Sequence, residues 1–202
     1  MPDAGRTLGL MFAVAIALGG AAQGCASSEQ PAPVAPPDST TASDHAVVLS
    51  VTSSAFEAGG TMPAKYCTTA VSGGQNVSPP LAWTGVEGAR SYAVVMIDRH
   101  PVANGWVHWI VVDLPAGTLS LPEGASGTLP SPVRELRSTF GSRGYGGPQP
   151  LAGTGDHPYE ISVYALDVTS LDVPAAPSAD EIAQALKGHV VGAGSLSAYY
   201  GR

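Results

Sequence analysis

The sequence predicts a mostly β domain with one helix near its C-terminus. Four runs rich in β-branched and aromatic residues are each bounded by Gly, Pro, Asn or Asp, a pattern typical of strands separated by turns. The 202 residues include 25 Gly and 18 Pro without a repeat period, which favours many turns over a helical bundle or a coiled coil. The one helix that the sequence predicts, with a start signal and an apolar face together, follows the last of these runs.

The four predicted strands cover residues 46–52, 91–98, 106–114 and 159–167. The predicted helix runs from residue 179 to about residue 189. Ser178 is a good N-cap and Glu181 follows three residues later, so together they predict a capping box.

Composition limits the class of protein. Apolar residues make up 44% of the chain, enough for the core of one ordinary domain. The net charge is −7, which argues against nucleic acid as a partner because such proteins need a basic surface. Two cysteines are too few for a disulfide framework.

The N-terminal residues read as a targeting segment. Residues 1–24 combine Arg6, a short uncharged apolar run and small residues before Cys25, as a signal peptide does. Cleavage just before Cys25 predicts a lipid-modified cysteine and a membrane anchor, although the position three residues earlier is Ala22 rather than the usual Leu. Plain secretion and an uncleaved anchor remain alternatives. Residues 25–45 are rich in Pro, Ser and Thr and predict a flexible tether, so the folded domain is placed at 46–202.

Polar residues within the predicted strands indicate a site. Because side chains alternate along a strand, His157 and Tyr159 share one face, and His108 is expected to share a face with Trp106 and Ile110. Taken alone, each of these residues also fits ordinary core packing.

The loop between two of the strands brings a carboxylate to the same place. If the strands that end at Asp98 and begin at Trp106 form a hairpin, Asp98 lies within a rung or two of His108. The glycine-rich segment 143–148 is expected at the rim, where backbone N–H groups approach an anion closely. A zinc site from His100, His108 and His157 is conceivable, but their spacing is not diagnostic.

Five segments in order carry a resemblance to a known family. They are NVSPPLAW at 76–83, DRHP at 98–101, GWVHW at 105–109 with Leu-Pro at 114–115, the stretch 144–166, and LSAYYGR at 196–202. Together they resemble the phosphatidylethanolamine-binding protein family in its bacterial Raf-kinase-inhibitor-like branch.

The resemblance implies a large antiparallel sheet packed with a smaller sheet, and a C-terminal helix beside an anion pocket. In the family this pocket accepts phosphate, acetate or a phospholipid headgroup, with no cofactor and no metal. The positions that match the family's pocket are Asp98, His108, Gly147, His157 and Tyr159. The expected rim residues are Arg99, His100, Tyr145, Gly146 and Pro148.

The sequence also departs from the family pattern. The family's D-P-D-A-P segment is one residue shorter here and carries Arg99 and His100, two candidate cations. Gln149 stands where the bacterial branch often has Cys, so Cys67 is predicted to be a free, half-buried thiol.

Two functions from different classes follow. The first is an exported binding module that holds a small anion or a phosphorylated headgroup, with Asp98 orienting an imidazole. Such a module is expected at the cell envelope, and by family resemblance it inhibits or regulates a partner protein such as a kinase or protease. The alternative is an envelope hydrolase or lyase that uses Asp98 and His108 as an acid–base pair.

Overall fold

The computed structural model of the chain describes residues 46–202. The predicted signal peptide, the tether and Cys25 lie outside these described residues. Within them, no helix is both long enough and apolar enough to cross a membrane.

The described residues form nine strands and one α-helix. The strands are β1 (Val47–Val48), β2 (Val51–Thr52), β3 (Leu81–Trp83), β4 (Ser91–Asp98), β5 (Val107–Pro115), β6 (Ser120–Leu121), β7 (Arg134–Glu135), β8 (His157–Leu166) and β9 (Val190–Tyr200), and the helix α1 is Ala179–Leu186.

The strands form two sheets, as predicted. The large sheet has the order β1-β9-β8-β4-β5-β7, and the small sheet has the order β2-β3-β6. All pairs in the large sheet are antiparallel except β1 with β9, so this sheet is mixed rather than purely antiparallel.

The strand β4 explains why both faces of the large sheet are covered. All eight of its residues are buried, which fits a central strand between β5 and β8. Val94 and Met96 belong to the core cluster that the small sheet completes, whereas Val95 and Ile97 belong to a second cluster that includes Ile182 of α1. The small sheet therefore packs on one face and the helix on the other.

The structure differs from the sequence prediction in several elements. The strands β3, β6, β7 and β9 are absent from that prediction. The predicted first strand is split into β1 and β2, which belong to different sheets. The capping box at Ser178 and Glu181 is confirmed, but the helix ends at Leu186. It stops there because Lys187 is extended and Gly188 adopts a positive φ of 84°.

The strand β5 contains two shifts of register against β4. Near its start, Met96 pairs with Trp109 but Ile97 pairs with Val107, which leaves His108 without a partner across the ladder. The extra residue breaks the alternation, so the prediction that His108 shares a face with Ile110 is wrong. His108 turns instead toward Tyr159, on the side of the sheet that carries the small-sheet core.

Candidate functional site: a cavity at the ends of three strands

A cavity of about 480 Å³ opens where β4 ends and where β5 and β8 begin. Its polar lining consists of Asp98, His108, His157 and Tyr159, with Gln149 at the edge. Asp98 is the last residue of β4 and pairs directly with Tyr159 in the adjacent β8. The adjacent ends of β4, β5 and β8 therefore bring together four of the five residues that the sequence predicts as ligand-binding.

Asp98 forms an ion pair with His157. The ring Nδ1 of His157 donates to Oδ2 of Asp98 at 2.6 Å, and both side chains are almost fully buried. The other carboxylate oxygen accepts the backbone N–H of His100 at 2.8 Å. The carboxylate is therefore satisfied by His157 rather than by His108, and the Asp98/His108 acid–base pair of the enzyme hypothesis does not form as a hydrogen bond.

The far side of the His157 ring contacts a loop hydroxyl. The ring Nε2 lies 2.8 Å from Oγ1 of Thr154, and this hydroxyl donates to the carbonyl of Leu151 at 2.7 Å. Because the carbonyl can only accept, the single hydroxyl proton is used there and Nε2 is left to donate. Both hydrogen bonds of the ring, to Asp98 and to Thr154, form when His157 carries a proton on each ring nitrogen. In that state its positive charge neutralises the Asp98 carboxylate.

His108 is held differently. Its Nδ1 donates to the carbonyl of Gly146 at 2.7 Å, and its Nε2 has no hydrogen-bond partner among the described residues. Burial is the main cause that lowers the pKa of His108, and the charge of His157 lowers it further. The carbonyls of Gly146 and Gly147 and the carboxylate of Asp98 act in the opposite direction and raise it. His108 therefore presents a neutral acceptor nitrogen to the cavity near pH 7.

Tyr159 contributes an unused donor. Its side chain is fully buried, and its hydroxyl has no hydrogen-bond partner in the described part of the chain. Burial first, and then the neighbouring Asp98 carboxylate, raises the pKa of this phenol, so the hydroxyl keeps its proton. The cavity thus has one buried donor and one neutral acceptor side by side.

Four aromatic rings form a row from the cavity mouth to this polar end. The ring centroids of Trp106 and Phe140 are 5.3 Å apart, those of Phe140 and His108 are 5.5 Å apart, and those of His108 and Tyr159 are 5.1 Å apart. All three contacts are edge-to-face, the geometry that aromatic quadrupoles favour. The other apolar lining residues are Val102, Ala103, Pro150 and Leu151.

Comparison with known proteins identifies the fold and the family. The profile described as phosphatidylethanolamine-binding protein matches residues 52–201. The chain belongs to the phosphatidylethanolamine-binding protein family. The resemblance carried by the sequence motifs is thereby confirmed.

Relatives of this chain occur in bacteria and archaea. YbhB of Escherichia coli is 38% identical over 132 residues, covering 63% of this chain and 83% of the relative. LppC of Mycobacterium tuberculosis, whose name suggests a lipoprotein, is 34% identical over 179 residues, covering 87% and 85%. The crystal structure of E. coli YbcL matches with a TM-score of 0.70 and 30% identity, covering 76% of this chain and 98% of that one.

The fifth predicted residue, Gly147, lies outside the cavity lining of this family member. Its N–H donates to Oδ1 of Asn76 at 2.8 Å, so this amide is not free to meet an anion. A Cβ at Gly147 would lie 2.0 Å from the carbonyl oxygen of Tyr66, which shows that the glycine is required for close backbone packing. Asn76, the first residue of the NVSPPLAW motif, therefore supports the turn behind the pocket.

The predicted cations at the rim do not line the cavity either. The guanidinium of Arg99 donates twice to Oε1 of Glu160, at 2.9 and 2.6 Å. His100 caps the 3₁₀ turn Pro101–Ala103, and its ring stacks on that of His157 with centroids 4.0 Å apart. His100 thus contacts the site through its ring, which stacks on His157, and through its backbone N–H, which donates to Asp98.

The remaining predicted rim residues form the wall behind the cavity. Tyr145 is buried and donates its hydroxyl to the carbonyl of Tyr66, while Pro148 accepts the N–H of Thr68. Gly146 accepts from His108, and a Cβ on it would meet the Phe140 ring at 2.4 Å. These residues position lining groups without lining the cavity themselves.

Sequence reasoning missed the apolar lining residues Val102, Ala103, Pro150 and Leu151, and it also missed Phe140 and Thr154. Phe140 lies in a loop without any strand or motif signal, and its ring is held in the cavity by packing against Trp106, His108 and Gly146. Thr154 lies in the sequence Gly-Thr-Gly, which by itself is weak evidence for phosphate binding. Its hydroxyl instead fixes the His157 ring.

Cys67 is fully buried rather than half-buried. Burial raises the pKa of its thiol to about 11, although a hydrogen bond with Tyr200 acts in the opposite direction. A thiol of this kind stays protonated and unreactive near pH 7. Among the described residues, no group of three or more His, Cys, Asp or Glu side chains is placed to hold a metal ion.

Proposed function

We propose that this chain is an exported, non-catalytic binding protein that holds a small acidic ligand, either a simple anion or a phosphorylated headgroup, in the cavity. The observation that carries the proposal is the Tyr159 hydroxyl, which is buried and has no hydrogen-bond partner within residues 46–202. Leaving such a donor unsatisfied costs about 1–3 kcal/mol. An acceptor oxygen of a ligand offsets that cost.

Tyr159 and His108 are each expected to form a hydrogen bond with the acid group of the ligand. Tyr159 donates its hydroxyl proton to one oxygen of the ligand. The free Nε2 of His108 accepts the proton of a protonated acid, or takes up a proton and then donates to the anion. The Asp98–His157 pair is already satisfied internally and serves as a rigid wall.

Binding is a better match than turnover because of the groups that meet in the cavity. Its lining in the described part of the chain includes no Ser or Cys side chain that a base activates. The carboxylate that would activate His108 is engaged by His157 and by the backbone of His100. We therefore assign no catalytic residue.

The decisive variant is Tyr159→Phe, which removes one hydroxyl and keeps the ring. We expect the affinity for acetate and for inorganic phosphate to fall by about 10- to 150-fold, since a hydrogen bond to a charged group contributes about 1.5–3 kcal/mol. The free energy of unfolding should stay the same or rise, because an unsatisfied buried group is removed. Titration calorimetry and chemical unfolding measure the two effects.

Tyr164→Phe is the matched control, because Tyr164 lies on the same strand but packs against the helix-side core. It should leave the affinity unchanged. Unaltered affinity in Tyr159→Phe would contradict the proposed role of the hydroxyl. Consumption of the bound ligand by the parent protein would contradict the non-catalytic part of the proposal.

We extend the proposal to the cell envelope, with Cys25 as the site of a lipid anchor. The alignment with LppC covers more of the chain than residues 46–202 alone provide, so it reaches into the N-terminal segment. Cys25→Ser should move the protein from the membrane fraction to the soluble fraction. Membrane association that survives this substitution would refute the anchor.

A further inference from the structure

A second opening lies at the outer edge of the large sheet. Its volume is about 430 Å³, and it shares no lining residue with the cavity at the ends of β4, β5 and β8. It is lined by the edge strand β7, by residues of the loop 127–133, by the segment 173–175 and by Arg143. We call this opening the edge groove.

Positive charge is concentrated beside the edge groove. The chain has a net charge of −7, yet three of its nine Lys and Arg residues, Arg134, Arg137 and Arg143, lie between positions 134 and 143. Arg134 is paired with Asp113. The guanidinium of Arg137 donates to the carbonyl of Gly141 at 2.8 Å, and neither Arg137 nor Arg143 forms an ion pair among the described residues. Two guanidinium charges therefore have no carboxylate partner there.

These two charges face each other. Arg137 and Arg143 are opposite partners in an isolated antiparallel bridge. Side chains of directly opposite residues project to the same side, and like charges at such positions lower stability. A bound carboxylate offsets this repulsion, and the guanidinium group binds a carboxylate through two parallel hydrogen bonds. Because Arg143 lines the edge groove, it can meet such a group there.

The backbone of β7 offers a second element of recognition. The N–H of Leu136 donates to Ile110 in β5 at 3.0 Å. Because such bonds recur at every second residue of an antiparallel ladder, the backbone groups of Glu135 point away from β5 and toward the edge groove. Two residues later, the N–H of Arg137 donates to the carbonyl of Ala175 at 2.9 Å. The outward side of this edge thus already bonds to another backbone segment.

The side chain of Glu135 does not compete for the arginines. Its Oε1 accepts from Nε1 of Trp109 at 2.8 Å and from the Ser126 hydroxyl at 2.6 Å, and its Oε2 accepts from the N–H of Gly127 at 2.7 Å. Both carboxylate oxygens are therefore engaged by neutral donors. A guest carboxylate meets no rival acceptor from this residue.

Apolar side chains complete the lining of the edge groove. They are Leu129, Val133, Leu136 and Val173. They can contact the apolar side chains that flank an acidic residue in an extended peptide. An exposed strand edge that offers backbone bonds together with contacts for side chains is the arrangement used in β-strand addition.

We propose that the edge groove binds an extended segment of a partner protein that carries an acidic side chain between apolar ones. The acidic side chain pairs with Arg143, and the backbone of the segment bonds to Glu135 and adds a strand to β7. This proposal goes beyond the proposed function, since it concerns a different site and a different class of partner.

Three peptides test the proposal in an NMR titration of the isotope-labelled full chain. The first is acetyl-Thr-Val-Glu-Val-Thr-amide, the second has Gln in place of Glu, and the third is the first with N-methyl groups on its three central residues. We expect the first peptide to shift the amide signals of Gly127, Glu135 and Arg143. The Gln peptide should bind about 5-fold more weakly, the order of one surface ion pair. The N-methylated peptide should bind at least as weakly, because it lacks the backbone donors.

Arg143→Gln tests the charge on the protein side. It should make the Glu and Gln peptides bind equally, and it should leave the free energy of unfolding unchanged or raise it, because the repulsion from Arg137 is relieved. Arg90→Gln is the matched control, since Arg90 is also exposed and without an ion pair among the described residues but does not line the edge groove. It should keep the preference for the Glu peptide.

Each part of the proposal can be overturned separately. Absence of shifts at the three amides overturns the site. Equal binding of the Glu and Gln peptides to the parent protein, or a preference that survives Arg143→Gln, overturns recognition of the acidic side chain. Equal binding of the N-methylated peptide overturns strand addition.

Two further outcomes would assign the peptide or the groove differently. Loss of peptide binding in Tyr159→Phe would place the peptide at the other cavity and overturn the proposal, whereas unchanged binding supports it and leaves the proposed function to its own test. Self-association of the parent in sedimentation velocity that Arg143→Gln abolishes would assign the edge groove to a second copy of this chain and overturn the separate partner.

Discussion

The strand β5 contains the same backbone irregularity twice, once at each end, with different results. At both places the register against β4 shifts by one residue, and one polar residue is left over: His108 near the start and Asp113 near the end. Both are almost fully buried. Asp113 has a positive φ of 64°, a conformation that Asp tolerates better than most residues.

The partners of the two residues differ. Oδ1 of Asp113 accepts the N–H of Leu171 at 2.8 Å, and Oδ2 accepts from the Arg134 guanidinium and the Ser170 hydroxyl. His108 bonds Gly146 through one nitrogen and leaves the other toward the cavity. The bulge at Asp113 therefore stabilises the fold, because both carboxylate oxygens of its side chain are hydrogen-bonded. The bulge at His108 instead presents a candidate binding group, because one ring nitrogen remains available.

The largest effect is expected from a substitution of Asp113, the residue at the second bulge of β5. We expect Asp113→Ala to lower the free energy of unfolding by about 3 kcal/mol, since it leaves the buried N–H of Leu171 without an acceptor, removes one of the two acceptors of the Arg134 guanidinium and places Ala at a positive φ. Affinity for a cavity ligand should not change. Urea unfolding and titration calorimetry on the same preparation measure both quantities.

Asp113→Asn is the control, because it keeps the shape and tolerates the same backbone conformation. It should recover part of the stability lost in Asp113→Ala. If Asp113→Ala and the parent protein had the same free energy of unfolding, the hydrogen bonds of Asp113 would not stabilise the fold, and the proposed difference between the two bulges would be wrong.

A smaller effect is expected at the other bulge, in the pH dependence of stability. Burial lowers the pKa of His108 in the folded protein, so the unfolded chain binds a proton more readily than the folded one. This contribution to stability is present above the unfolded pKa of about 6.5 and is lost as the pH falls below it. The variant His108→Gln should therefore lose less stability than the parent between about pH 6.5 and pH 5.

Urea unfolding at several pH values measures the slope for each protein. The amide of Gln can still donate to the Gly146 carbonyl, so the comparison isolates the titrating group. An equally steep decline in both proteins would show that His108 does not carry the effect.

Sequence reasoning succeeded where the relevant information is local. The alternation along β8 correctly places His157, Tyr159 and the core residue Ile161 on one side. The capping box at Ser178 was predicted because both of its partners lie within one turn of helix. The position of Asp98 followed from a short hairpin between two strands that are neighbours in the chain.

The same reasoning failed where residues far apart in the chain determine the orientation, the hydrogen-bond partner or the burial of a side chain. The register shift at His108 depends on how β5 fits against β4, so alternation alone put this residue on the wrong face. Asp98 was expected to orient an imidazole, and it does, but the imidazole is that of His157 in β8 and not that of His108, with which the enzyme hypothesis pairs it. The burial of Cys67 depends on its surroundings in the folded chain, which include Tyr200 far along the sequence.

The sequence by itself determined the three strands β4, β5 and β8 that hold the site, the helix start, the family and the residue types that meet at one end of the large sheet. These follow from hydrophobic period, capping chemistry and motif spacing, which are properties of short segments. Only the tertiary structure decided which imidazole pairs with Asp98, which hydrogen-bonding groups remain free, and that Phe140 completes the cavity. Those outcomes depend on competition among groups that are far apart in the chain. Which hydrogen bonds form is decided only when the fold has brought all competing donors and acceptors together.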